Sequence, residues 1–143
     1  MAIHDAIEAA GRDAQIVHDL SLIEDLSKYF GIFATPGVYG RYYEVTPLEA
    51  IRLLNYLDDG GTMYMESGDF FFRGPNQADT VLHDAFGIVA VSDGEADFPG
   101  NLHGLGFLTG FVFDYSMDPI YNTFNDHLRQ VPDSGAVELM YDN

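Results

Sequence analysis

The sequence contains no cysteine, which excludes disulfides, thiolate metal sites and cysteine nucleophiles. It is also poor in positive charge, with 6 basic residues against 23 acidic ones and a formal net charge of -17. Such a surface repels nucleic acids and anionic membranes, so we expect neither as a partner. No apolar run approaches the roughly 20 residues that a membrane-spanning helix needs.

The residues that are present suit a folded domain. The chain has 143 residues, 47% of them hydrophobic, which is enough for one domain with a single core. We interpret the acidic residues as a solvated surface that keeps the domain soluble, with loose cation binding as the alternative.

The clearest structural signals come from residues 46–72. Thr46 suits a helix N-cap, Pro47 suits the first helical position, and Glu49 completes a Thr-x-x-Glu capping box. Apolar residues then recur at helical spacing, with Leu54 in the middle of the predicted inner face. That face consists of Leu48, Ile51, Leu54 and Leu57, widened by Leu53 and Tyr56.

The predicted helix ends at Gly60 and Gly61, because glycine adopts the left-handed backbone conformation without steric cost. The short apolar run at residues 63–65 then predicts a buried strand. Four residues follow at the carboxyl end of that strand: Glu66, Ser67, Gly68 and Asp69. Ligands bind at this end of the strands in open α/β sheets, so these residues form a candidate ligand site.

The rest of the chain alternates between predicted helices and strands. Helices are predicted at residues 1–10, 21–29 and 78–86, and strands at residues 14–17, 30–34, 88–91, 110–115 and 137–141. Residues 92–106 are rich in Gly and Asp and predict a long surface loop, and Asp118 with Pro119 suits the start of another helix. This alternation predicts a single α/β domain with a mostly parallel sheet.

Three runs of the sequence, YFGIFATPGVYG, TPLEAIRLLNYLDDGGTMYMESGDFFF and TVLHDAFGI, resemble the class I glutamine amidotransferase-like, flavodoxin-like domain. The closer resemblance is to the non-catalytic version found within large secreted bacterial surface proteins. It implies a three-layer flavodoxin-like fold with a mostly parallel sheet, and an extracellular or cell-surface location. Such domains have a strand before the first helix and another after the last strand predicted here. We therefore expect a truncated domain that self-associates as a homodimer.

The resemblance argues against amidotransferase chemistry. Catalytic relatives carry a Gly-x-Cys-x-Gly nucleophile elbow and a later His-x-Glu pair. Ser67 falls at or next to the place of the cysteine, Met65 stands where the elbow has glycine, and no His-x-Glu occurs. The alternative is a hydrolase or amidotransferase-like enzyme that uses Ser67 as its nucleophile, with His83 or His103 as the base.

Acidic residues offer two candidate calcium sites. Glu66 and Asp69 flank the turn after the predicted strand, while Asp93, Glu95 and Asp97 occupy alternate positions of the predicted loop. A solvated acidic loop is the simpler interpretation of both groups. We therefore expect no cofactor, with calcium as the alternative.

Aromatic residues flank the predicted carboxyl end of the sheet: Tyr39, Tyr42, Tyr43, Phe70, Phe71 and Phe72. Exposed together, they would form a patch for a partner protein or a carbohydrate; buried, they would cover the ends of the sheet. The first functional hypothesis is a non-catalytic structural or interaction module of a larger exported protein. The alternatives are a Ser67-dependent enzyme and a domain that binds calcium or a small ligand.

We expect the melting temperature to rise as NaCl is increased from low to molar concentration. The net charge of -17 implies self-repulsion, and an ionic strength of about 0.15 M already screens charges more than about 8 Å apart. Thermal melts across the salt series check this expectation. A flat or falling curve would show that the acidic groups are well separated or already paired.

Overall fold

A computed structural model describes residues 2–37, 43–67, 77–95, 101–114 and 124–141. The α-helices within these ranges are α1 (Ala2–Ala9), α2 (Pro47–Asp58) and α3 (Gln77–Phe86). The strands are β1 (Gly31–Gly37), β2 (Thr62–Ser67), β3 (Ile88–Glu95), β4 (Asn101–Gly104), β5 (Val112–Asp114), β6 (Phe124–Gln130) and β7 (Met140–Tyr141). Short 3-10 turns lie at Leu20–Leu22, Leu26–Lys28 and Gly106–Leu108. None of the helices in these ranges is long and apolar enough to cross a membrane.

Helix α2 begins as the sequence predicts. The Thr46 hydroxyl accepts a hydrogen bond from the Glu49 backbone N–H at 3.3 Å, and the Glu49 carboxylate accepts one from the Thr46 N–H at 2.9 Å. Pro47 occupies the first turn, where a backbone N–H would have no partner within the helix. This reciprocal capping box fixes where the helix starts, so the predicted N-terminus is confirmed.

The two glycines also end α2 as predicted. Gly60 has a φ of +92°, in the left-handed region, and its N–H donates to the Leu57 carbonyl at 3.0 Å. The Gly61 N–H donates to the Tyr56 carbonyl at 2.9 Å, which completes a Schellman motif. A Cβ atom on Gly61 would lie 2.3 Å from the Tyr56 ring, so the ring packs where a side chain would stand.

Strands β1 and β2 flank α2 in the sequence and pair in parallel. Their register places Ile32 opposite Met63 and Phe33 opposite Tyr64. Because side chains alternate along a strand, the first pair faces one side of the sheet and the second pair faces the other. Ile32, Met63 and also Met65 pack against the core, so the inner face of this sheet is covered.

The core gathers around the inner face of α2. Its buried apolar residues are Leu26, Val45, Ala50, Leu53, Tyr56 and Leu82, and Glu49 is the buried charged residue among them. The predicted face of α2 is therefore partly wrong, because Leu48 is 69% exposed and Ile51 is 49% exposed. Glu49 is drawn inside by its hydrogen bonds, and the buried face is centred on Leu53, with Leu54 and Leu57 at its margin.

The predicted three-layer flavodoxin-like arrangement is wrong. Among the described strands, β1 with β2 is the parallel pair, whereas β3 pairs with β6 and β4 pairs with β5 and β7 in antiparallel sheets. From the alternation of helices and strands in the sequence, the helix and the strands near α2 were predicted correctly. The pairing partner of each strand was not. β3 ends at Glu95 and pairs with β6, which begins at Phe124, and only tertiary contacts specify pairing between strands so far apart in sequence.

Several local predictions are also wrong. Residues 14–17 are not a strand, and residues 21–29 contain two 3-10 turns in place of a helix. Asp19 and Asp25 each accept hydrogen bonds from the serine two residues on, and this local bonding competes with helix formation. The predicted loop at 92–106 is instead partly strand, since β3 runs to Glu95 and β4 spans Asn101–Gly104. Asp118 and Pro119 lie outside the described residues.

We expect Leu53→Ala to lower the free energy of unfolding by about 2–5 kcal/mol, because it opens a cavity in the core. Leu48→Ala, on the same helix, is the matched control and should change it by no more than about 0.5 kcal/mol. Denaturant melts of the two variants check the assigned faces. Equal losses in both variants would place Leu48 in a packed environment and contradict the structure.

Candidate functional site

The candidate ligand loop lies partly within the described residues. Glu66 and Ser67 end β2, where Ser67 stands opposite Gly37 of β1 in the parallel register. Gly68 and Asp69 lie outside the described residues. Glu66 and Ser67 thus lie at the carboxyl end of a parallel strand, as predicted, but they are its last two residues rather than part of a loop after it. The four-residue ligand site stays a prediction.

The candidate base residues lie on different elements. His83 is a half-buried residue of α3, and this helix contacts α2 and β3. His103 lies on β4, in a different sheet from Ser67, and its ring stacks on Tyr141 with a centroid separation of 5.4 Å. The Ser67 side chain is outside what the structure describes, so the nucleophile hypothesis stays a prediction.

The second candidate calcium site does not lie in a loop as predicted. Asp93 and Glu95 belong to β3, where they stand opposite Asp126 and Phe124 of β6. Asp97 is outside the described residues. In the part of the chain that the structure describes, no group of three or more His, Asp or Glu side chains could hold a metal ion. Calcium binding by either acidic group remains a prediction.

A buried carboxylate lies at the start of α2. Glu49 is 5% exposed, and one of its oxygens accepts a hydrogen bond from the Tyr43 hydroxyl at 2.5 Å. The other oxygen accepts from the Thr46 hydroxyl at 2.7 Å and from the Thr46 N–H at 2.9 Å. Three donors thus satisfy a charge that would otherwise be costly to bury.

The Tyr43 hydroxyl extends this network to the 3-10 turn Leu20–Leu22 and its N-cap, Asp19. It accepts a hydrogen bond from the Leu20 N–H at 3.2 Å and lies 3.2 Å from an oxygen of Asp19. Arg52 joins the same segment to α2 by donating to the carbonyls of Leu20 and Ile23. The network therefore fixes an irregular loop against the helix.

The network shifts the pKa values of Tyr43 and Glu49 in opposite directions. Burial and the hydrogen bond to Glu49 raise the pKa of Tyr43 to about 12. Burial raises the pKa of Glu49, but the hydrogen bonds from Tyr43 and Thr46 outweigh it, so this pKa lies below its ordinary value. Near neutral pH the phenol stays protonated and the carboxylate stays charged. The pair is therefore suited to holding structure rather than to exchanging a proton.

Sequence reasoning found only half of this network. The Thr-x-x-Glu pattern identified the bond between Thr46 and Glu49. Tyr43, by contrast, was grouped with the aromatics of the predicted sheet edge, and of that group only Tyr43 lies within the described residues. A tyrosine three residues before an N-cap carries no local signal that its hydroxyl will reach the helix.

The outer face of the β1–β2 sheet carries an exposed aromatic pair. Phe33 is 52% exposed and Tyr64 is 49% exposed. Their ring centroids are 5.9 Å apart, and the ring planes are tilted by 43°. Sequence reasoning missed this pair because it read residues 63–65 as a strand buried on both faces.

Glu66 brings a carboxylate to the same face. It lies two residues after Tyr64 on β2, and it accepts a hydrogen bond from the Tyr64 hydroxyl at 3.0 Å. Burial and this hydrogen bond raise the pKa of Tyr64 above its ordinary value. The face therefore combines two rings with a negative charge held beside one of them.

An open groove of about 620 Å³ lies between the segment containing Leu26–Lys28 and the carboxyl end of α2. Charged side chains of both signs line it, including Lys28, Arg52, Asp25 and Asp59. Tyr56 and Thr62 also line the groove, and the Tyr56 hydroxyl accepts a hydrogen bond from the Thr62 N–H at 3.3 Å. The mixed charges select no class of ligand, so the groove is a weaker candidate than the outer face.

No family model matches the chain, and no curated protein or solved structure matches it either. The resemblance to the amidotransferase-like domain stays a prediction, although the three-layer fold that it implied is wrong. The aromatic face of β1 and β2 is the feature of the described residues with the most defined chemistry.

We expect stability to fall as the pH rises from about 10, the ordinary tyrosine value, through about 12, the folded pKa of Tyr43. The sign follows because the folded state holds this proton more tightly than the unfolded state. The pKa of Glu49 in the folded state lies below its ordinary value. Its contribution to stability is therefore complete above the ordinary pKa and is lost as the pH falls through the folded-state pKa.

Tyr43→Phe should cost about 1–3 kcal/mol near neutral pH, because it removes one donor from a buried carboxylate. It should also reduce the alkaline loss of stability. Tyr29→Phe is the control, since the Tyr29 hydroxyl bonds the exposed Gln15 side chain. Melting temperatures across the pH series check both expectations. An alkaline loss that is the same in Tyr43→Phe as in the unmodified protein would contradict the network.

Proposed function

We propose that the chain is a non-catalytic interaction module that binds a partner through the outer face of the β1–β2 sheet. The observation that carries this proposal is the half-exposed pair of Phe33 and Tyr64 on a parallel sheet. Parallel sheets are normally covered on both faces, because their strands carry apolar residues on both sides. Among the described residues, the core packs against the inner face, and Phe33 and Tyr64 on the outer face are half exposed.

The uncovered face is small, which favours a modest and reversible interaction. Burying the exposed half of each ring would contribute about 1 kcal/mol per ring, from the usual value for a whole aromatic side chain. Such a gain is far below what a permanent interface needs. Polar or charged contacts must therefore supply part of the affinity and most of the specificity.

The net charge of the protein favours a different chain, rather than a second copy of this one, as the partner. The sequence predicts self-association, and a homodimer through this face remains a proposal. Two copies that each carry a net charge of -17 would repel one another as they approached. A partner of opposite charge would instead be attracted.

The non-catalytic part of the proposal is supported by the use of the buried groups. The Tyr43 hydroxyl and the Glu49 carboxylate are occupied in joining a loop to α2. A Ser67-dependent enzyme and a calcium-binding domain stay as alternatives. Both alternatives involve residues outside the described part of the chain, or residues whose side chains the structure does not describe.

The double variant Phe33→Ser, Tyr64→Ser should fold with a free energy of unfolding within about 1 kcal/mol of the unmodified protein, because both rings are half in solvent. It should bind less of a fluorescent dye that reports exposed apolar surface. The matched control is Leu48→Ser, Ile51→Ser, which removes a comparably exposed pair from α2. The control should retain most of the dye binding, since it leaves the adjacent rings of Phe33 and Tyr64 in place.

Denaturant melts and dye titrations of the two double variants distinguish a binding face from a structural one. A loss of about 3 kcal/mol or more in the Phe33 and Tyr64 variant would place the rings in the core. That outcome would overturn the proposed function, as would dye binding that does not change in this variant.

A further inference from the structure

The chain contains two Asp-Gly steps, Asp59–Gly60 and Asp93–Gly94. In such a step the backbone nitrogen of the glycine can attack the side-chain carboxyl carbon of the aspartate, because glycine has no Cβ to hinder the approach. The two steps lie in different surroundings. Asp59 is the C-cap of α2, whereas Asp93 lies within β3.

We propose that Asp59 is a site of spontaneous modification, at which aspartate isomerises to isoaspartate through a succinimide, and that pairing of β3 with β6 protects Asp93 from the same reaction. The inference goes beyond the proposed function, because it concerns the connection between α2 and β2 rather than a binding face. It distinguishes two steps of identical sequence by their structural surroundings.

The reaction needs only the protein and water. The Gly60 nitrogen forms a bond to the side-chain carboxyl carbon of Asp59. The nitrogen loses its proton and the neutral carboxyl group loses its hydroxyl, and the two leave together as water. A water molecule then opens the ring at one of its two carbonyl carbons. Opening at the side-chain carbonyl restores aspartate. Opening at the main-chain carbonyl breaks the original peptide bond, so that the chain continues through the former side chain.

The backbone around Asp59 opens at small cost. Asp59 and Gly60 are exposed, and a Cβ atom built on Gly60 would meet no described atom within 4 Å. For the ring to close, the peptide group between them must rotate toward the Asp59 side chain. This rotation breaks the hydrogen bond from the Gly60 N–H to the Leu57 carbonyl and disturbs the neighbouring bond from Gly61. Both bonds belong to the end of a helix, where the backbone opens readily.

The second step is held within a sheet. Asp93 stands opposite Asp126 of β6, and Gly94 stands opposite Asn125, with further paired residues on both sides. Ring closure at Asp93 needs the same kind of rotation, which would separate β3 from β6 at this point. Several hydrogen bonds of the ladder would then be lost together, and paired strands open less often than helix ends. The two steps therefore react at different rates in the folded protein.

Isoaspartate at position 59 disturbs the packing at the end of α2. It adds one carbon atom to the main chain just before the two glycines. A Cβ atom on Gly61 would collide with the Tyr56 ring, so this glycine has little room to move. The Tyr56 hydroxyl also accepts a hydrogen bond from the Thr62 N–H at the start of β2. The longer main chain displaces these groups from one another, so the modified protein is less stable.

The test ages the folded full chain at a pH of about 6, where a small fraction of the carboxyl groups is neutral. The samples are then digested with a protease that cleaves before aspartate but not before isoaspartate, and the peptides containing positions 59 and 93 are quantified by mass spectrometry. Isoaspartate should accumulate at least about tenfold faster at position 59 than at position 93. In guanidinium, which unfolds the chain, the difference should disappear.

Two variants assign the signal to its residue. Asp59→Glu keeps the charge but requires a larger ring for the same attack, so it should abolish the modified peptide. Asp93→Glu is the matched control and should leave the accumulation of isoaspartate at position 59 unchanged. Both substitutions retain a carboxylate, so any difference between them reports the position of the reactive step.

Chromatographic separation of the aged protein tests the effect on stability. The isoaspartate form should have a lower melting temperature than the fresh protein, whereas Asp59→Glu aged in parallel should keep its own. Either of two results would overturn the inference. One is equal accumulation of isoaspartate at the two positions in the folded protein. The other is an isoaspartate form whose melting temperature equals that of the fresh protein.

Discussion

The buried carboxylate of Glu49 is the constraint on which the described structure around α2 depends. It fixes the first turn of α2 through Thr46 and, through Tyr43, holds the irregular segment at Asp19 against the helix. Once α2 is fixed in this orientation, Leu53 points into the core and β1 and β2 lie against it. A charge buried in this way tolerates few alternative arrangements, because every displacement removes one of its donors.

The limits of the sequence-based predictions follow from the range of the interactions. The capping box at Thr46 and the stop at Gly60 depend on residues within one turn, and both were predicted correctly. The orientation of α2 was not, because Leu48 and Leu53 are chemically identical and core contacts from other elements, such as Leu26 and Leu82, decide which of them is buried. β6 contains Asn125 among its polar residues and does not alternate apolar and polar residues as a half-buried strand does. The sequence therefore did not indicate a strand there that pairs with β3.

The same reasoning explains what was predicted of the candidate site. Glu66 was placed correctly at the end of a parallel strand, because the apolar run before it has the length and composition of a strand. The aromatic pair of Phe33 and Tyr64 was missed. An apolar run such as residues 63–65 does not indicate which face of the strand other elements will cover. Burial of one face depends on α2, and exposure of the other depends on the absence of a comparable layer in the described residues.

The paired glycines after α2 carry unequal constraints on the evolution of this chain. At Gly60 the requirement is a backbone angle, and asparagine, which visits the left-handed region more readily than other residues, could meet it. At Gly61 the requirement is the space that the Tyr56 ring fills, and no side chain is small enough to share it. Drift at the first position is therefore tolerable by itself, whereas a change at the second is acceptable only together with a smaller residue at Tyr56.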